Sequence, residues 1–400
     1  MKILFITHYA DTLGANRSLL HLLEGLRGAS YNVEVQVWCP RSGRFTEELA
    51  RRGIEYRILP FPNAYYTFRS LGLYLFPYKW WLIHQNFPKW TAELAEWQPD
   101  VIHSNSAVVI LGAIIAEKLN IPHVWHTREF VWEHYKMVSP IKKDFLHRLR
   151  QQAAAHVAIS DCVKQRAFTD LDSQKNTIFT VYNGIGTAKK IAENYNDITT
   201  ATAEKSTTQK STTQKSTFTF LNIGLLHPAK KQMEALRALR IVRKNIPLSQ
   251  PNVRLLIVGK GRKGYEMRMK LYVWWHNLSK SVDFLGFMAS PNVAYQRADA
   301  VLMCSENEAM GRVTVEAMAQ GKPVIGKISG ATPEIIQDGV NGLLYAKNEI
   351  DLAKKMLILI NNDINTNKKM IENAYETVIN NFTDETYISK MYAIFKNVIQ

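Results

Sequence analysis

The sequence has few cysteines and no long apolar run. Its three cysteines, Cys39, Cys162 and Cys304, lie far apart along 400 residues, which argues against a disulfide framework and a metal cluster. The longest uncharged apolar runs, such as residues 107–116, are too short to span a bilayer. The opening MKILFITHY lacks the long apolar core of a signal peptide. We therefore expect a cytoplasmic protein with no metal site, able to touch a membrane without crossing it.

Acidic residues are also scarce relative to basic ones. The chain has 35 Asp and Glu against 50 Lys and Arg, a net charge of +15. Such an excess indicates an anionic partner, which can be nucleic acid, an acidic bilayer or a phosphorylated substrate. No RNP-like aromatic box, zinc-finger spacing or long basic run accompanies the charge. We expect no nucleic-acid partner and favour a membrane surface or phosphate chemistry.

Short apolar runs alternate with helical segments along most of the chain. Residues 2–7 are a run of the buried-strand type, 8–14 form a loop that ends in glycine, and 15–26 carry leucines at helical spacing. Strands that alternate with helices predict a parallel sheet whose ligands gather at the carboxyl ends of its strands. With 400 residues, the chain is long enough for two such domains. The fold class is therefore α/β, with two doubly wound domains.

One stretch interrupts this pattern and divides the chain. Residues 187–216 are polar and repeat the pentapeptide STTQK twice, a composition that buries too little apolar surface to offset chain entropy. We predict a linker there. The predicted parts are a first domain at 1–186, the linker at 187–216, a second domain at 217–380 and a final helix at 381–400.

The segment SENEAMGRVTVEAMAQG at 305–321 carries the strongest chemical signal. It follows the apolar run 300–303, and its carboxylates Glu308 and Glu316 flank Gly311. A strand that ends in a glycine turn and feeds a helix leaves backbone N–H groups free to bind an anion. A diphosphate held there would leave the two carboxylates to bind hydroxyls on either side, as a nucleotide sugar offers. The alternative is that both acids are solvated residues of a helix start.

The run EAMGRVTVEAMAQGKPVI resembles the donor-site signature of the retaining family 4 (group 1) glycosyltransferases, with Met310 in place of the usual Phe. The resemblance implies the GT-B fold, in which two Rossmann-like domains face a cleft and the last helix crosses back to the first domain. It implies retaining transfer from a nucleoside-diphosphate sugar to an acceptor hydroxyl, without a cofactor or an obligatory metal. Cell-surface polysaccharide or glycolipid synthesis is the expected setting, with a glycan or lipid-linked acceptor.

The same resemblance implies roles for individual residues. Glu316 would hold the ribose, Glu308 the hexose, and His126, in the similar segment VWHTREF, would sit beside the anomeric centre. Leu225 stands where the family has a phosphate-binding Arg. Glu308 and His126 are the predicted catalytic residues, and the predicted donor-binding residues are Gly14, Ala15, Gly224, Lys230, Met310, Gly311, Arg312, Val313 and Glu316.

Two alternatives of other classes remain. The loop at 259–264 satisfies G-x-G-x-x-G, a weak dinucleotide-binding pattern that would suit an NAD-dependent oxidoreductase. The absence of the family Arg at Leu225 would suit a catalytically idle module that binds sugar or lipid.

Residues 65–97 are rich in aromatic side chains interleaved with cations, among them Trp80, Trp81 and Lys79. Rings at headgroup depth with Lys and Arg on lipid phosphates are typical of an interfacial membrane contact. The alternative is a large helix whose rings pack in the core. The sequence thus allows an anionic membrane surface as a partner through 65–97.

Overall fold

The computed structural model describes residues 1–12, 14–68, 70–130, 137–172, 177–196, 217–247, 251–288 and 290–400. The chain divides into two compact units. The first unit is Met1–Gly184 together with Thr383–Gln400, and the second is Ile185–Phe382. No helix among the described residues is both long and apolar enough to cross a bilayer.

The first unit is built on a seven-stranded parallel sheet of order β3-β2-β1-β5-β6-β8-β9, with a short antiparallel pair β4-β7 beside it. β1 (KILFI) is buried over its last four residues, and α1 turns its leucines to the core. The elements are β1 (Lys2–Ile6), α1 (Gly14–Arg27), β2 (Glu34–Cys39), α2 (Arg44–Arg51), β3 (Glu55–Ile58), β4 (Tyr66–Thr67), α3 (Leu71–Tyr74), α4 (Phe76–Trp97), β5 (Val101–Ser104), α5 (Leu111–Leu119), β6 (His123–Thr127), β7 (Met137–Val138), α6 (Lys143–Gln151), β8 (Ala155–Ala158), α7 (Asp161–Ala167) and β9 (Ile178–Thr180).

The second unit has a six-stranded parallel sheet of order β12-β11-β10-β13-β14-β15. Its elements are α8 (188–196), then β10 (Thr217–Ile223), a 3-10 turn (Pro228–Lys230), α9 (Gln232–Asn245), β11 (Asn252–Val258), α10 (Lys263–Trp275), β12 (Val282–Gly286), α11 (Asn292–Arg297), β13 (Ala300–Met303), α12 (Arg312–Ala319), β14 (Val324–Lys327), α13 (Thr332–Ile335), β15 (Leu343–Tyr345), α14 (Glu349–Asn361) and α15 (Ile364–Asn381).

Each sheet has one point where the strand order reverses. In the first unit it lies between β1 and β5, where Asn105 donates its backbone N–H to the Ile6 carbonyl at 2.9 Å. In the second unit it lies between β10 and β13, where Glu306 N–H donates to the Ala229 carbonyl at 3.0 Å. Ligands of doubly wound sheets bind at such points, beyond the carboxyl ends of the strands.

The last helix of the chain, α16 (Asp384–Ile399), packs on the first unit. Its buried Met391, Ile394 and Phe395 join the core formed by β1 and the leucines of α1. The predicted fold class is confirmed, including the return of the C-terminal helix to the first domain.

The stretch predicted to be a linker is partly helical. Residues 188–196 form α8, with Ile191 buried and Tyr195 stacked on Tyr375 of α15 at a centroid distance of 4.0 Å. These tertiary contacts stabilise a helix that composition alone does not indicate. The remainder of the predicted linker, 197–216, lies outside the described residues.

Only some of the aromatic side chains at 65–97 pack in the core. Trp90 is buried against Trp38, and Trp80, stacked on Phe76, is half-buried. A second group of large side chains on or near α3 and α4 is exposed. This α3/α4 surface comprises Phe68, Leu71, Tyr74, Leu75, Tyr78 and Trp81.

Candidate functional site

In the second unit, loops from neighbouring strands meet at the carboxyl edge of the sheet. The loops that follow β10 and β11 touch so closely that a Cβ on Gly259 would lie 1.9 Å from the Gly224 carbonyl oxygen. Glycine at 259 is therefore required by packing between loops. This contact accounts for the G-x-G pattern without a dinucleotide.

Glu308 and Lys230 form an ion pair across the switch point of this sheet. Lys230 Nζ lies 2.6 Å from Glu308 Oε2, and the two side chains are 24% and 16% exposed. The backbone around Glu308 is fixed by the loop after β14, since Ala331 N–H donates to the Glu308 carbonyl at 2.8 Å. Gly330 has φ +58°, and a Cβ there would lie 2.2 Å from that carbonyl oxygen, so only glycine allows this approach. The carboxylate is thus held in place before any ligand binds.

Gly311 caps the amino end of α12, where the first N–H groups of the helix lack intrahelical partners. Arg312 Nε donates to Glu316 Oε1 at 3.1 Å, and the hydroxyl of Tyr295 donates to Glu316 Oε2 at 3.4 Å. Met310 is buried, whereas Val313 is half-buried. This end of α12 therefore offers backbone donors beside a carboxylate that two side chains orient.

A further group of charges underlies these loops. Lys327, at the end of β14, is buried and contacts Glu234 at 3.0 Å and Glu306 at 3.4 Å, and Lys231 also contacts Glu306 at 3.0 Å. Burial acts to lower the pKa of Lys327, but the two carboxylates outweigh it and raise the pKa above its usual range. Sequence patterns gave no signal for this pairing, because the partners lie on three separate segments, the start of α9, the loop after β13 and the end of β14.

Arg262 lies near the loop of Leu225, the position at which the glycosyltransferases that the sequence resembles have a phosphate-binding Arg. Leu225 itself is 58% exposed. Arg262, which begins the turn into α10, donates its backbone N–H to the Leu226 carbonyl at 3.2 Å. Burial, followed by the charges of Arg262 and Lys230, lowers the pKa of His227, so both cations face the loop after β10. Sequence reasoning did not identify Arg262.

In the first unit, His126 lies at the end of β6 and is fully buried. Its Nδ1 accepts from Arg128 at 3.3 Å. Burial, followed by the charges of Arg128 and the neighbouring His103, holds the pKa of His126 well below its usual range. The ring is therefore neutral at physiological pH.

Arg128 is the centre of a buried hydrogen-bond network that sequence reasoning missed. Its guanidinium donates to Asn105 Oδ1 at 2.9 Å, to Asn183 Oδ1 at 2.6 Å and to the Tyr387 hydroxyl at 2.8 Å. Tyr387 belongs to α16, so the network joins the returning helix to the ends of the central strands. The sequence signal for Arg128 was its position directly after a buried strand.

The loop after β1 is held by Asn16, whose Oδ1 accepts from Thr7 Oγ1 at 2.6 Å and whose Nδ2 donates to the Tyr9 carbonyl at 2.9 Å. Gly14 and Ala15 open α1 next to it. A Cβ on Gly14 would meet no atom within 4 Å, so this backbone is open to a ligand.

A cavity of about 890 Å³ lies beside the carboxyl end of β6. Glu129 accepts hydrogen bonds there from Ser106 Oγ and from the Ala107 N–H, and burial raises its pKa. The side chains that line the cavity include Glu129, Lys143, Arg150, Arg166, Trp125 and Phe130. Mixed walls of this kind suit a ligand with both an apolar and an anionic or hydroxylated part.

The structure brings most predicted donor residues together. Gly224, Lys230 and Glu308 lie at the switch point of the second sheet, and Met310, Gly311, Arg312, Val313 and Glu316 follow directly at the start of α12. Gly14, Ala15 and His126 belong to the first unit.

Two family models match the chain. Residues 204–377 match the model described as glycosyl transferases group 1, and residues 14–184 match the glycosyl transferase 4-like domain. An uncharacterized glycosyltransferase of Methanocaldococcus jannaschii is 29% identical over 69% of this chain and 70% of its own length. The alpha-monoglucosyldiacylglycerol synthase of Streptococcus pneumoniae is 26% identical over 79% of this chain and 72% of its own length.

Solved structures show the same fold. Anabaena HepE, in complex with UDP and glucose, superposes with a TM-score of 0.73 at 22% identity, covering 99% of both chains. Two other curated relatives are matched over only 40% and 41% of their own length.

Proposed function

Because this chain belongs to the group 1 glycosyltransferases, we propose that it moves a sugar from a nucleoside-diphosphate sugar to an acceptor hydroxyl with retention of configuration. The observation that carries the proposal is the pairing of Lys230 with Glu308 at 2.6 Å, next to the amino end of α12 with its Arg312–Glu316 pair. Such a site offers cations and N–H donors to a diphosphate, with a carboxylate on each side for hydroxyls.

In the proposed mechanism Lys230 and the amides of α12 bind the leaving diphosphate and stabilise the charge that develops as the glycosidic bond breaks. Glu316 accepts hydrogen bonds from the ribose, and Glu308 accepts from the hexose. The acceptor oxygen attacks the face that the diphosphate leaves, and its proton passes to a donor phosphate oxygen. We propose that this positive charge replaces a divalent ion, so EDTA should leave the rate unchanged.

His126 is proposed to act near the anomeric centre. Its neutral state would let the ring act as a hydrogen-bond donor or acceptor without carrying charge. Because the side chain is fully buried, contact with a sugar requires that the residues covering it rearrange.

We propose that the first unit binds the acceptor and that the cavity beside Glu129 takes part. The relative from S. pneumoniae is named an alpha-monoglucosyldiacylglycerol synthase, and a lipid-linked acceptor would suit a cavity with both apolar and cationic walls. We further propose a location at the inner face of a membrane, which the exposed α3/α4 surface would touch. Phe68, Tyr74, Tyr78 and Trp81 are 53–72% exposed, and exposed rings favour the interfacial region.

The membrane part is tested with Tyr78→Ser/Trp81→Ser. We expect weaker binding to vesicles that contain phosphatidylglycerol, with nucleotide affinity unchanged, because neither side chain is among the proposed donor-binding residues. Trp90→Ser is unsuitable, since Trp90 is core. Equal vesicle binding by the double variant would show that the α3/α4 surface has another role.

The transfer itself is tested with a panel of UDP- and GDP-sugars, starting with UDP-glucose. Release of nucleoside diphosphate should depend on both donor and acceptor, and NMR of the product should show the anomeric configuration of the donor. Lys230→Met should bind the free nucleoside as well as the native protein does, yet lose most of its affinity for the diphosphate. Binding of nucleotide sugar without any turnover would instead favour an idle binding module, which Leu225 in place of Arg would suit.

A further inference from the structure

The outward face of α10 is apolar although solvent surrounds it. Met269 and Val273 are the residues that this helix buries. Opposite them lie four large apolar side chains, each 57–74% exposed. They are Met267, Leu271, Trp274 and Trp275.

These positions form one stripe. Their spacing of four, seven and eight residues from the first places them on the same side of a helix. A surface helix normally buries its apolar stripe and turns polar residues outward. Contiguous exposed apolar area of this kind marks a binding surface.

Cations surround the stripe. Exposed Lys263, Arg268 and Lys270 lie on α10 itself, with Lys260 before it and Lys280 after it. Glu266 is the one acid within 260–280, and Lys270 pairs with it at 2.7 Å.

The preceding helix, α9, adds positive charge at the end of α10. Desolvation of the ring, followed by the charges of Arg240 and Lys244 on α9, lowers the pKa of His276. Cations of α9 therefore face the same end of the stripe that carries the two tryptophans.

We propose that the stripe on α10 is a second membrane-contact surface, which inserts Leu271, Trp274 and Trp275 into the interface of a bilayer that contains anionic lipid. Tryptophan rings and aliphatic side chains enter the headgroup boundary, while flanking Lys and Arg bind lipid phosphates. A second copy of the chain would bring the same cations face to face, and nucleic acid would leave the aliphatic side chains without a partner. The surface is distinct from α3/α4 and does not depend on the proposed transfer.

The test uses the full chain carrying Trp274→Ser/Trp275→Ser, with cosedimentation on phosphatidylcholine vesicles with and without phosphatidylglycerol. We expect about tenfold weaker binding to the anionic vesicles, equal to about 1.4 kcal/mol. The matched control is Ile350→Ser/Ile364→Ser, which removes two exposed apolar side chains of α14 and α15 that lie outside the cationic surround. It should bind as the native protein does.

A second measurement does not remove the tryptophans. Met267→Cys in a Cys162→Ser background takes a polarity-sensitive fluorophore, because Cys39 and Cys304 are buried. Its emission should shift to the blue with anionic vesicles, and should do so even when Tyr78→Ser/Trp81→Ser removes the α3/α4 surface. A label at Ile364→Cys should not shift.

Unchanged binding by the tryptophan variant together with no shift at position 267 would overturn the proposal. A native dimer that the tryptophan variant loses in sedimentation equilibrium would mean that a second copy covers the face. A shift with RNA but not with vesicles would assign the face to nucleic acid. Each of these results is independent of whether a nucleotide sugar is turned over.

Discussion

At the scale of single residues, the second unit presents its charges in pairs that a ligand could reorganise. Glu308 is held by Lys230, and Glu316 by Arg312. A diphosphate would compete for the cations and release the carboxylates for sugar hydroxyls. The native pairs therefore compensate these half-buried charges in the absence of a ligand.

Glu316→Gln is expected to weaken nucleotide binding by about tenfold, equal to about 1.4 kcal/mol, because an amide accepts weaker hydrogen bonds from ribose than a carboxylate does. Titration calorimetry with UDP and GDP gives the affinity. Glu349→Gln alters an exposed pair with Arg237 and serves as control. Native affinity in the Glu316 variant would remove the ribose assignment.

Arg262→Ala is expected to lower affinity for a nucleoside diphosphate but not for the nucleoside, because Arg262 would supply the cation that Leu225 lacks. Leu225→Arg in the Arg262→Ala background should restore the loss. The measurement is the ratio of the two dissociation constants. If both ligands lose affinity equally, the substitution acts on the loop rather than on phosphate.

The sequence was informative where chemistry is local. Glu308, Gly311 and Glu316 lie within nine residues, and a strand, a glycine turn and a helix start define their place. The hydrogen bonds and loop contacts of Arg262, Tyr295 and Arg128 could not be predicted, since their partners are distant in sequence and come together only by folding. Glu308 belongs to a motif that can be recognised within a few neighbouring residues. Tyr387, in contrast, contacts Arg128 across 259 residues of sequence.

At the scale of elements, alternating apolar runs predicted the strands. Helix α8 and the orientation of α10 depend on tertiary packing, which the sequence pattern does not show. Composition predicted a linker over residues that form α8, because stacking of Tyr195 on Tyr375 has no local signal. In α10, the apolar side chains point outward, so periodicity alone could not distinguish its exposed face from its buried one.

Tyr387→Phe is expected to cost about 1 kcal/mol of unfolding free energy, since it leaves the buried Arg128 guanidinium with one acceptor fewer. Tyr392→Phe on the same helix is the control, because its ring packs at a tilt against Tyr31, with centroids 4.6 Å apart, and this contact remains in the variant. Urea unfolding measures both. Equal stability of the two variants would show that the Arg128 network does not anchor α16.

At the scale of the whole molecule, the buried histidines among the described residues of the first unit include His103, His123, His126 and His156. Burial lowers the pKa of each, to about 3 for His123 and about 4 for His156. In the unfolded chain they titrate near pH 6.5, so the unfolded state binds more protons as pH falls below that value. Stability should therefore decline from about pH 6.5 downward, by about 1.4 kcal/mol per pH unit for each histidine.

His103→Phe should reduce the slope of unfolding free energy against pH by the contribution of one histidine, about 1.4 kcal/mol per pH unit. Its ring lies between Phe5 and Phe395, at centroid distances of 5.0 Å and 5.7 Å, so a phenyl ring suits the site. Urea unfolding at several pH values between 7.5 and 5 measures the slope. The exposed His84 gives the control variant His84→Gln, and an unaltered slope in His103→Phe would mean that this ring protonates without unfolding.

Because α16 returns to the first unit, the second unit lies within the sequence of the first. The chain leaves the first unit after Gly184 and re-enters it at Thr383, and Ile185 N–H donates to the Phe382 carbonyl at 3.0 Å. The second unit is thus an insertion whose two ends are neighbours. A linker of a few residues in place of 186–381 would suffice to close the first unit. The ends of the excised piece would already lie next to each other. We expect each piece to melt in its own cooperative transition, a modularity that would let one second unit be exchanged for another at a single junction.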